Sequence, residues 1–476
     1  MYVADLLTYH VKNKKINVKK CAEYFHMDRS SLYKVIRGER NAPSREFILK
    51  MSQYLYLTND EKESLLTAYE LDDIGEFRYY CRKHVESFLK EATFIENKPL
   101  SMTNDSIQND LRIGHYSNKY DIEQLIYNLF LIESKEKEPH IKLLEQPYHD
   151  LYHLKMICQL SPNIPITHIF CLDNTDELTK NNQFYNLTCL TNILPLIFNN
   201  NNYKAHYYYN EMNAMNNHLG FFPNAIITDK YLFIYNNDHS DGILYEKDES
   251  YEAYLNQFNL YLEQTTPLIT FNKNDSLPLG EDLNVLLSAP YIETLYHVND
   301  TFPQVIDDNN FLTTFRKQSE DLKSFIKKNK DHYLSIYTIQ GLRYFVNTGY
   351  INAFPKSLCK PLSIDERITI LRRQKNSMAS RSIYLADIPE FPDSSSLIIL
   401  TNIHTFCFQI VSSNGITMNM ACHESSLVNA FNDYYTFVLE EKCYKQEEAF
   451  KIIDSYIKQL EAQKKGSVSI AEGTKR

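Results

Sequence analysis

The scarcity and spacing of glycine limit what this chain can fold into. The 476 residues include 11 glycines, and the closest pair is Gly466 and Gly473. The GxGxxG, Walker A and GxSxG motifs each need glycines two to five residues apart, because their backbone approaches phosphate closely or takes a strained turn. The sequence therefore excludes standard dinucleotide-binding, P-loop and hydrolase-elbow chemistry.

Length and composition are those of a globular chain with several domains. At roughly 150 residues per domain, about three domains are expected, and 43% hydrophobic with 23% charged residues is ordinary for a soluble protein. No apolar run approaches the roughly 20 residues that cross a bilayer, and the N-terminus lacks a signal-peptide cleavage site. Nine cysteines without a CxxC pair are typical of reduced thiols. We expect a cytoplasmic protein without a membrane segment.

Charge is distributed unevenly along the chain. The net charge is −10, but residues 1–50 contain seven Lys and four Arg against five acidic residues, which gives +6 and leaves −16 for the rest. A basic end on an acidic body indicates a small anion-binding module. The alternative from charge alone is a lysine-rich helix face exposed to solvent.

Five short amphipathic helices are predicted over residues 1–75. Apolar residues recur at helical spacing, Asn17 and Asp28 stand where N-caps are expected, Pro43-Ser44 opens the fourth helix, and Thr58 begins a capping box. A tight turn at His26-Met27 joins the second helix to the third, which Gly38 ends. This order is the layout of a helix-turn-helix domain.

This part of the sequence resembles the xenobiotic-response-element-type, lambda-repressor-like helix-turn-helix regulators. The resembling stretch is NVKKCAEYFHMDRSSLYKVIRGERNAPS, in which Asp28–Leu32 matches the start of the recognition helix. Val18 departs from the glutamine that many members carry, and Ile36 from a common glutamate. The resemblance covers about 15% of the chain and implies binding of double-stranded DNA; a five-helix bundle that binds protein is the alternative.

The predicted DNA contacts lie on and around the third helix. Residues at the start of a recognition helix reach base edges, while Lys, Arg and backbone amides bind phosphate. Arg29 suits guanine or phosphate, and Tyr33 and Lys34 suit the sugar-phosphate backbone. The full set is Lys19, Arg29, Ser30, Ser31, Tyr33, Lys34, Arg37, Arg40 and Asn41.

The remainder of the chain has a mixed α and β pattern. We predict a helical extension and linker over 76–118, a sensor-like α/β domain over 119–275, a second over 285–462 and a disordered tail over 463–476. Apolar runs at 166–172 and 225–235 indicate strands. The fold class is therefore multidomain: an all-α helix-turn-helix N-terminal domain followed by a mixed α/β body.

An internal repeat is predicted in this body. Residues 225–261 recur loosely as 397–434, and an ungapped alignment from Gly242 and Gly415 gives six identities in twenty positions. Each copy reads as strand, glycine-containing turn, strand and amphipathic helix, with Phe258 and Phe431 on its buried face. The pattern favours a duplication.

Candidate chemistry in the body is sparse. His149 and His153 are spaced for one helix face with Cys158 nearby, but no second cluster completes a metal site. His153-Leu-Lys155 begins like a phospholipase-type HxK motif, yet Leu160 replaces its Asp. His423-Glu424 lacks the second His of a zincin helix. We expect no metal, no cofactor and no catalytic residues.

The leading interpretation is a bacterial transcription regulator. Its N-terminal domain binds DNA, and its large body senses a small-molecule or peptide effector, forms a homodimer, or both. An enzyme of a defence or nucleic-acid-processing system with a DNA-binding appendage is the second interpretation. A peptide-pheromone receptor with tetratricopeptide repeats is the third, and the strand-like runs argue against its helical body.

Overall fold

The computed structural model contains two compact units, residues 1–83 and 84–476. The first boundary therefore lies inside the segment predicted as a helical extension, and the two predicted α/β domains form a single unit. The structure describes residues 2–94, 111–145, 151, 154–155, 158, 161, 163–174, 184–200, 202–210, 223–271, 283–287, 324, 333–350, 360–380, 383–389, 397–411 and 417–473.

The first unit is helical, as the sequence predicts. Its helices are α1 Val3–Asn13, α2 Val18–Tyr24, α3 Arg29–Ile36, α4 Arg45–Tyr54, α5 Asn59–Ile74 and α6 Glu76–Phe94, the last of which continues into the second unit. Each predicted cap is present: the Asn17, Asp28, Ser44 and Thr58 side chains accept hydrogen bonds from the first turns that they precede. Thr58 and Glu61 form a reciprocal capping box.

Four helices of this unit end in the same hydrogen-bonded turn. After α2, the amide of Met27 donates to the Ala22 carbonyl, with His26 between them at φ 51°. The turns after α1, α3 and α4 repeat this Schellman pattern, with Lys15, Gly38 and Tyr56 in the left-handed position. In a glycine-poor chain, three of these positions are therefore held by residues that strain the backbone.

The core of the first unit lies between α1 and α5. Leu7, Leu32, Ile48 and Leu65 are fully buried in it. Burying one such side chain is worth roughly 1.5–3 kcal/mol. The buried residues are Val3, Leu7, Cys21, Ala22, Leu32, Val35, Ile36, Phe47, Ile48, Met51, Leu55, Leu65 and Ala68.

The second unit contains two mixed sheets. Its strands are β1 Gly114–Tyr116, β2 Ile141–Leu144, β3 Ile166–Asp173, β4 Tyr203–Asn210, β5 Asn224–Ile227, β6 Tyr231–Tyr235, β7 Gly242–Glu246, β8 Thr266–Pro267, β9 Ile269–Phe271, β10 Leu283–Leu287, β11 Tyr333–Thr338, β12 Ile383–Ala386, β13 Leu397–Thr401, β14 Phe406–Val411 and β15 Thr417–Cys422. Its helices are α7 Lys119–Glu133, α8 Tyr185–Asn199, α9 Glu249–Gln264, α10 Ile339–Thr348, α11 Ile364–Ser380, α12 Ser425–Phe437 with a π-helical turn Val438–Lys442, and α13 Gln446–Gly473. The mixed α/β character of the body is confirmed.

The two sheets have the same topology. Their orders are β1-β7-β6-β5-β2-β3-β4-β8 and β9-β15-β14-β13-β10-β11-β12. In both, three parallel strands continue, through an antiparallel pairing, into a three-stranded antiparallel meander. Even the closing contact recurs, since β8 pairs antiparallel with β4 and Cys443 forms an antiparallel bridge with Ala386 of β12.

The ungapped alignment predicted for the repeat is nevertheless out of register. Tyr235 pairs with Gly242 in the first sheet. When the strand pairings are followed from the first residues of β2 and β10, the corresponding pair in the second sheet is Gln409 with Asn419. Gly242 is therefore equivalent to Asn419, and Gly415 lies outside the described residues. The order of elements is the same in both copies, and Phe258 and Phe431 are both buried. Each copy has three strands before its helix, one more than predicted.

Three further expectations need correction. The run 225–235 is two strands, because the Thr228 amide donates to the Tyr231 carbonyl across a turn. The predicted linker contains β1, which pairs with β7. Helix α13 continues to Gly473, into the segment predicted as a disordered tail. Among the described helices, no stretch is both long and apolar enough to span a membrane.

Candidate nucleic-acid interface

Helix α3 is held by its apolar side and capped at its start. Leu32 and Val35 are buried at 0% and 1% exposure. The Asp28 carboxylate accepts a 2.8 Å hydrogen bond from the Ser31 amide, and hydrogen bonds from Ser31 lower the pKa of Asp28. This cap keeps α3 ordered although it is only eight residues long.

Three residues at helical spacing form a row on the outer side of α3. The guanidinium carbons of Arg29 and Arg37 lie 5.6 Å and 5.4 Å from the centroid of the Tyr33 ring. These distances are within the range of cation–π attraction. The ring of Tyr33, which is half-buried, therefore holds two exposed guanidinium groups in place.

The cations around this row differ in ion pairing from three other cations of the unit. Lys14 pairs with Glu61 at 3.3 Å, Arg45 with Glu70 at 3.5 Å, and Lys50 with Glu46 at 2.7 Å. Within the described residues, the five cationic side chains predicted to contact DNA form no ion pair. They are Lys19, Arg29, Lys34, Arg37 and Arg40. Their charge remains available to an anionic partner.

The other predicted contacts are also found around α3. Ser30 and Asn41 are exposed, and Ser31 is half-buried with its amide bonded to the Asp28 cap. Six of the nine predicted contacts lie on α3 or at its C-cap; Lys19 belongs to α2, and Arg40 and Asn41 follow α3 in the chain.

A cleft of about 470 Å³ opens beside the end of α3. Arg37, Arg40 and Asn41 line it together with carboxylates from the start of α1 and the end of α5, which are Asp5, Asp72 and Asp73. These acidic neighbours are not among the residues predicted for the site. Asp72-Asp73 is visible as an acidic pair in the sequence, but only the packing of α1 and α5 places it near Arg37.

The first unit carries charge of both signs on different elements. Residues 1–83 contain fifteen Lys and Arg against twelve Asp and Glu, a net charge of +3. Residues 51–83 contribute −3, so the surplus of +6 in residues 1–50 is offset by α5 and its surroundings. The positive surplus of the unit therefore lies in residues 1–50, which include α1, α2, α3 and the turn that follows.

The second unit buries a polar cluster beside β2 and β3. His168 Nε2 donates to the Glu145 carbonyl at 2.9 Å, so its Nδ1 accepts from the Tyr203 hydroxyl at 2.6 Å. Burial lowers the pKa of His168 to about 4 and raises the pKa of Glu145 to about 7. The imidazole is neutral at pH 7 and both of its nitrogens are satisfied inside the core, which is a packing role.

The metal and HxK candidates receive no support from the described part of the chain. His149, His153 and Leu160 lie outside it. Cys158 is buried, and its sulfur accepts a hydrogen bond from the Asn200 side-chain amide. Within the described residues, no group of three or more His, Cys, Asp or Glu side chains is arranged to hold a metal ion. The Glu424 carboxylate caps α12 and accepts from the Tyr209 hydroxyl at 2.7 Å, and His423 contacts Thr405.

Comparison with known proteins identifies no relative. No protein-family description matches the chain, and no curated protein matches it. Polyphosphate kinase from Porphyromonas gingivalis is similar over 77% of this chain and 60% of its own, at 9% identity and a TM-score of 0.20. Phosphatidylserine synthase from Haemophilus influenzae Rd KW20 is similar over 81% and 98%, at 9% identity and a TM-score of 0.21. Both are enzymes, but likenesses this weak carry no argument about fold or function.

Proposed function

We propose that this protein is a transcription regulator whose first unit is a helix-turn-helix domain that binds double-stranded DNA. The observation that supports this most is the set of unpaired cations on α2, α3 and the following turn, in a unit whose other cations include three paired with Glu. Unpaired guanidinium and ammonium groups beside a short capped helix suit contacts with DNA phosphates and base edges.

The proposed roles follow from the position of each side chain. Arg29 stands in the first turn of α3, where a side chain enters the major groove, and Ser30 beside it is short enough for close approach. Lys19 and Lys34 are exposed and unpaired, which suits phosphate. Tyr33 orients Arg29 and Arg37 through its ring.

The second unit is proposed to sense a signal, to dimerise the regulator, or both. Its two sheets share strand order, strand direction and the closing antiparallel contact, which supports an origin by duplication. A homodimer is expected, because regulators of the resembling family usually bind paired half-sites. Sedimentation of a strict monomer, both free and on DNA, would contradict this part.

The test uses fluorescence anisotropy with promoter fragments from the protein's own genome. Log K is expected to fall linearly with log salt, by about 0.9 per phosphate neutralised, and Lys34→Ala to make the slope shallower by about one unit. Lys50→Ala is the matched control, because Lys50 is exposed but paired with Glu46, and its slope should stay unchanged. Absence of salt-dependent DNA binding by the full chain would refute the proposal.

A further inference from the structure

The cleft beside α3 presents opposite charges that do not neutralise each other. Arg37 and Arg40 line it from the end of α3 and the turn beyond, and Asp72 and Asp73 from the last turn of α5. Within the described residues, no ion pair joins these arginines to these carboxylates. Elsewhere in the same unit, Lys14, Arg45 and Lys50 each meet a Glu partner.

Backbone contacts fix two of the cleft carboxylates. The Val3 amide donates to Asp72 Oδ2 at 3.0 Å, and the Tyr2 amide donates to Asp5 Oδ2 at 3.2 Å. Each carboxylate keeps further lone pairs for another donor. Asp72 and Asp5 are therefore positioned by backbone amides at the start of α1 and not by the arginines.

We propose that this cleft binds a small zwitterion, an amino acid or short peptide, whose carboxylate meets Arg37 and Arg40 and whose ammonium meets Asp72 and Asp73. Guanidinium groups form bidentate hydrogen bonds with carboxylates, and carboxylates accept charge-assisted hydrogen bonds from ammonium groups. A simple anion would be repelled by the aspartates, and a simple cation by the arginines. A volume of about 470 Å³ is within the roughly 300–1,000 Å³ of small-molecule sites.

Occupancy of the cleft competes with DNA. Arg37 and Arg40 belong both to the cleft and to the proposed DNA contacts, so a bound carboxylate withdraws two cations from phosphate. The coupling is reciprocal, because DNA must weaken ligand binding by the same factor. This competition rests on the proposed function and places an effector site in the first unit, whereas the sequence predicts sensing by the body.

Ligand binding is measured first without DNA. The full chain is titrated calorimetrically at low salt with the twenty free L-amino acids and a set of glycine-containing dipeptides. At least one member should bind saturably, and Asp73→Asn and Arg40→Gln should each weaken it at least tenfold. Asp60→Asn and Lys12→Gln are matched controls: they make the same charge changes at exposed positions outside the cleft lining and should leave affinity within twofold.

DNA affinity is then measured by fluorescence anisotropy in the presence of that ligand. Saturating ligand should lower the DNA affinity of the wild type about tenfold and that of Arg40→Gln by much less. Failure of every panel member to bind, or equal losses in the cleft and control variants, would overturn the site. Ligand binding without any change in DNA affinity would overturn the competition. A chain that binds ligand but no DNA would refute the proposed function and leave the site standing.

Discussion

Gly38→Ala tests how the end of α3 is packed against α1. Gly38 has φ +74°, and a Cβ built there lies 2.9 Å from the Cβ of Ala4. An alanine in the left-handed region costs about 1–2 kcal/mol, and the loss of unfolded-state entropy returns about 0.4–1 kcal/mol. Forcing a methyl group against Ala4 adds about 1–3 kcal/mol. We expect the free energy of unfolding to fall by about 2–3 kcal/mol.

Matched variants separate the cost of the contact with Ala4 from the cost of the left-handed backbone. Lys15 occupies the same position in the turn after α1, at φ 50°, and is exposed. The difference between Lys15→Ala and Lys15→Gly therefore measures the backbone term alone. Ala4→Gly removes the opposing methyl group, so the extra loss at Gly38 should vanish in the double variant.

The assay is urea unfolding of residues 1–83, followed by circular dichroism of the helices. This fragment contains the whole core of the first unit. With a slope of about 1 kcal/mol per M, Gly38→Ala should lower the midpoint by about 2–3 M. Gly38 is not packed tightly against Ala4 if Gly38→Ala lowers the free energy of unfolding only by the difference between Lys15→Ala and Lys15→Gly. The same conclusion follows if the extra loss remains when Gly38→Ala is combined with Ala4→Gly.

Three further predictions concern the first unit. Tyr33→Leu should lower DNA affinity about fivefold, since each cation–π contact is worth about 0.5–1 kcal/mol, while Tyr33→Phe keeps the ring and should bind within about twofold in the same anisotropy assay. Burial lowers the pKa of His10 below 6.5, so the unfolded state takes up the proton first. The free energy of unfolding should therefore fall as the pH drops through 6.5 towards the pKa of the folded state. Urea midpoints measured across this pH range should show the fall, and His10→Leu should abolish it. Tyr56 is 87% exposed at φ 50°, so Tyr56→Gly should raise the midpoint by relieving strain worth about 0.5–1 kcal/mol; an unchanged midpoint would contradict this.

The helices of the first unit were predictable because their signals are local. Asn17, Asp28 and Thr58 each cap within three residues of themselves, so sequence spacing alone locates the helix starts. The left-handed positions at His26 and Tyr56 were less visible, because glycine, the usual marker, is absent there. The turn at His26-Met27 was predicted from the helices on either side of it and not from its own chemistry.

The candidate site was predictable only in part. Arg29, Tyr33 and Lys34 follow from helical spacing on α3, which places them away from the buried Leu32 and Val35. Whether these side chains form ion pairs does not follow from the spacing, because an ion pair such as Arg45 with Glu70 joins residues from two helices. The acidic side of the cleft depends in the same way on the packing of α5 against α1, which no local pattern records.

The repeat shows why matched identities and shared topology are different kinds of information. Six identities in twenty positions pointed to two related segments, yet strand pairing makes Gly242 equivalent to Asn419. A strand's register is fixed by which face is buried and by the turn before it. A shift by an even number of residues, such as the four between Gly415 and Asn419, keeps the same face buried while changing every partner. Ser335 illustrates the consequence. Equivalent pairings place it where His168 stands in the first sheet, and both polar side chains are fully buried. The pairing of strands therefore relates these two positions, although the residues themselves share neither identity nor chemistry.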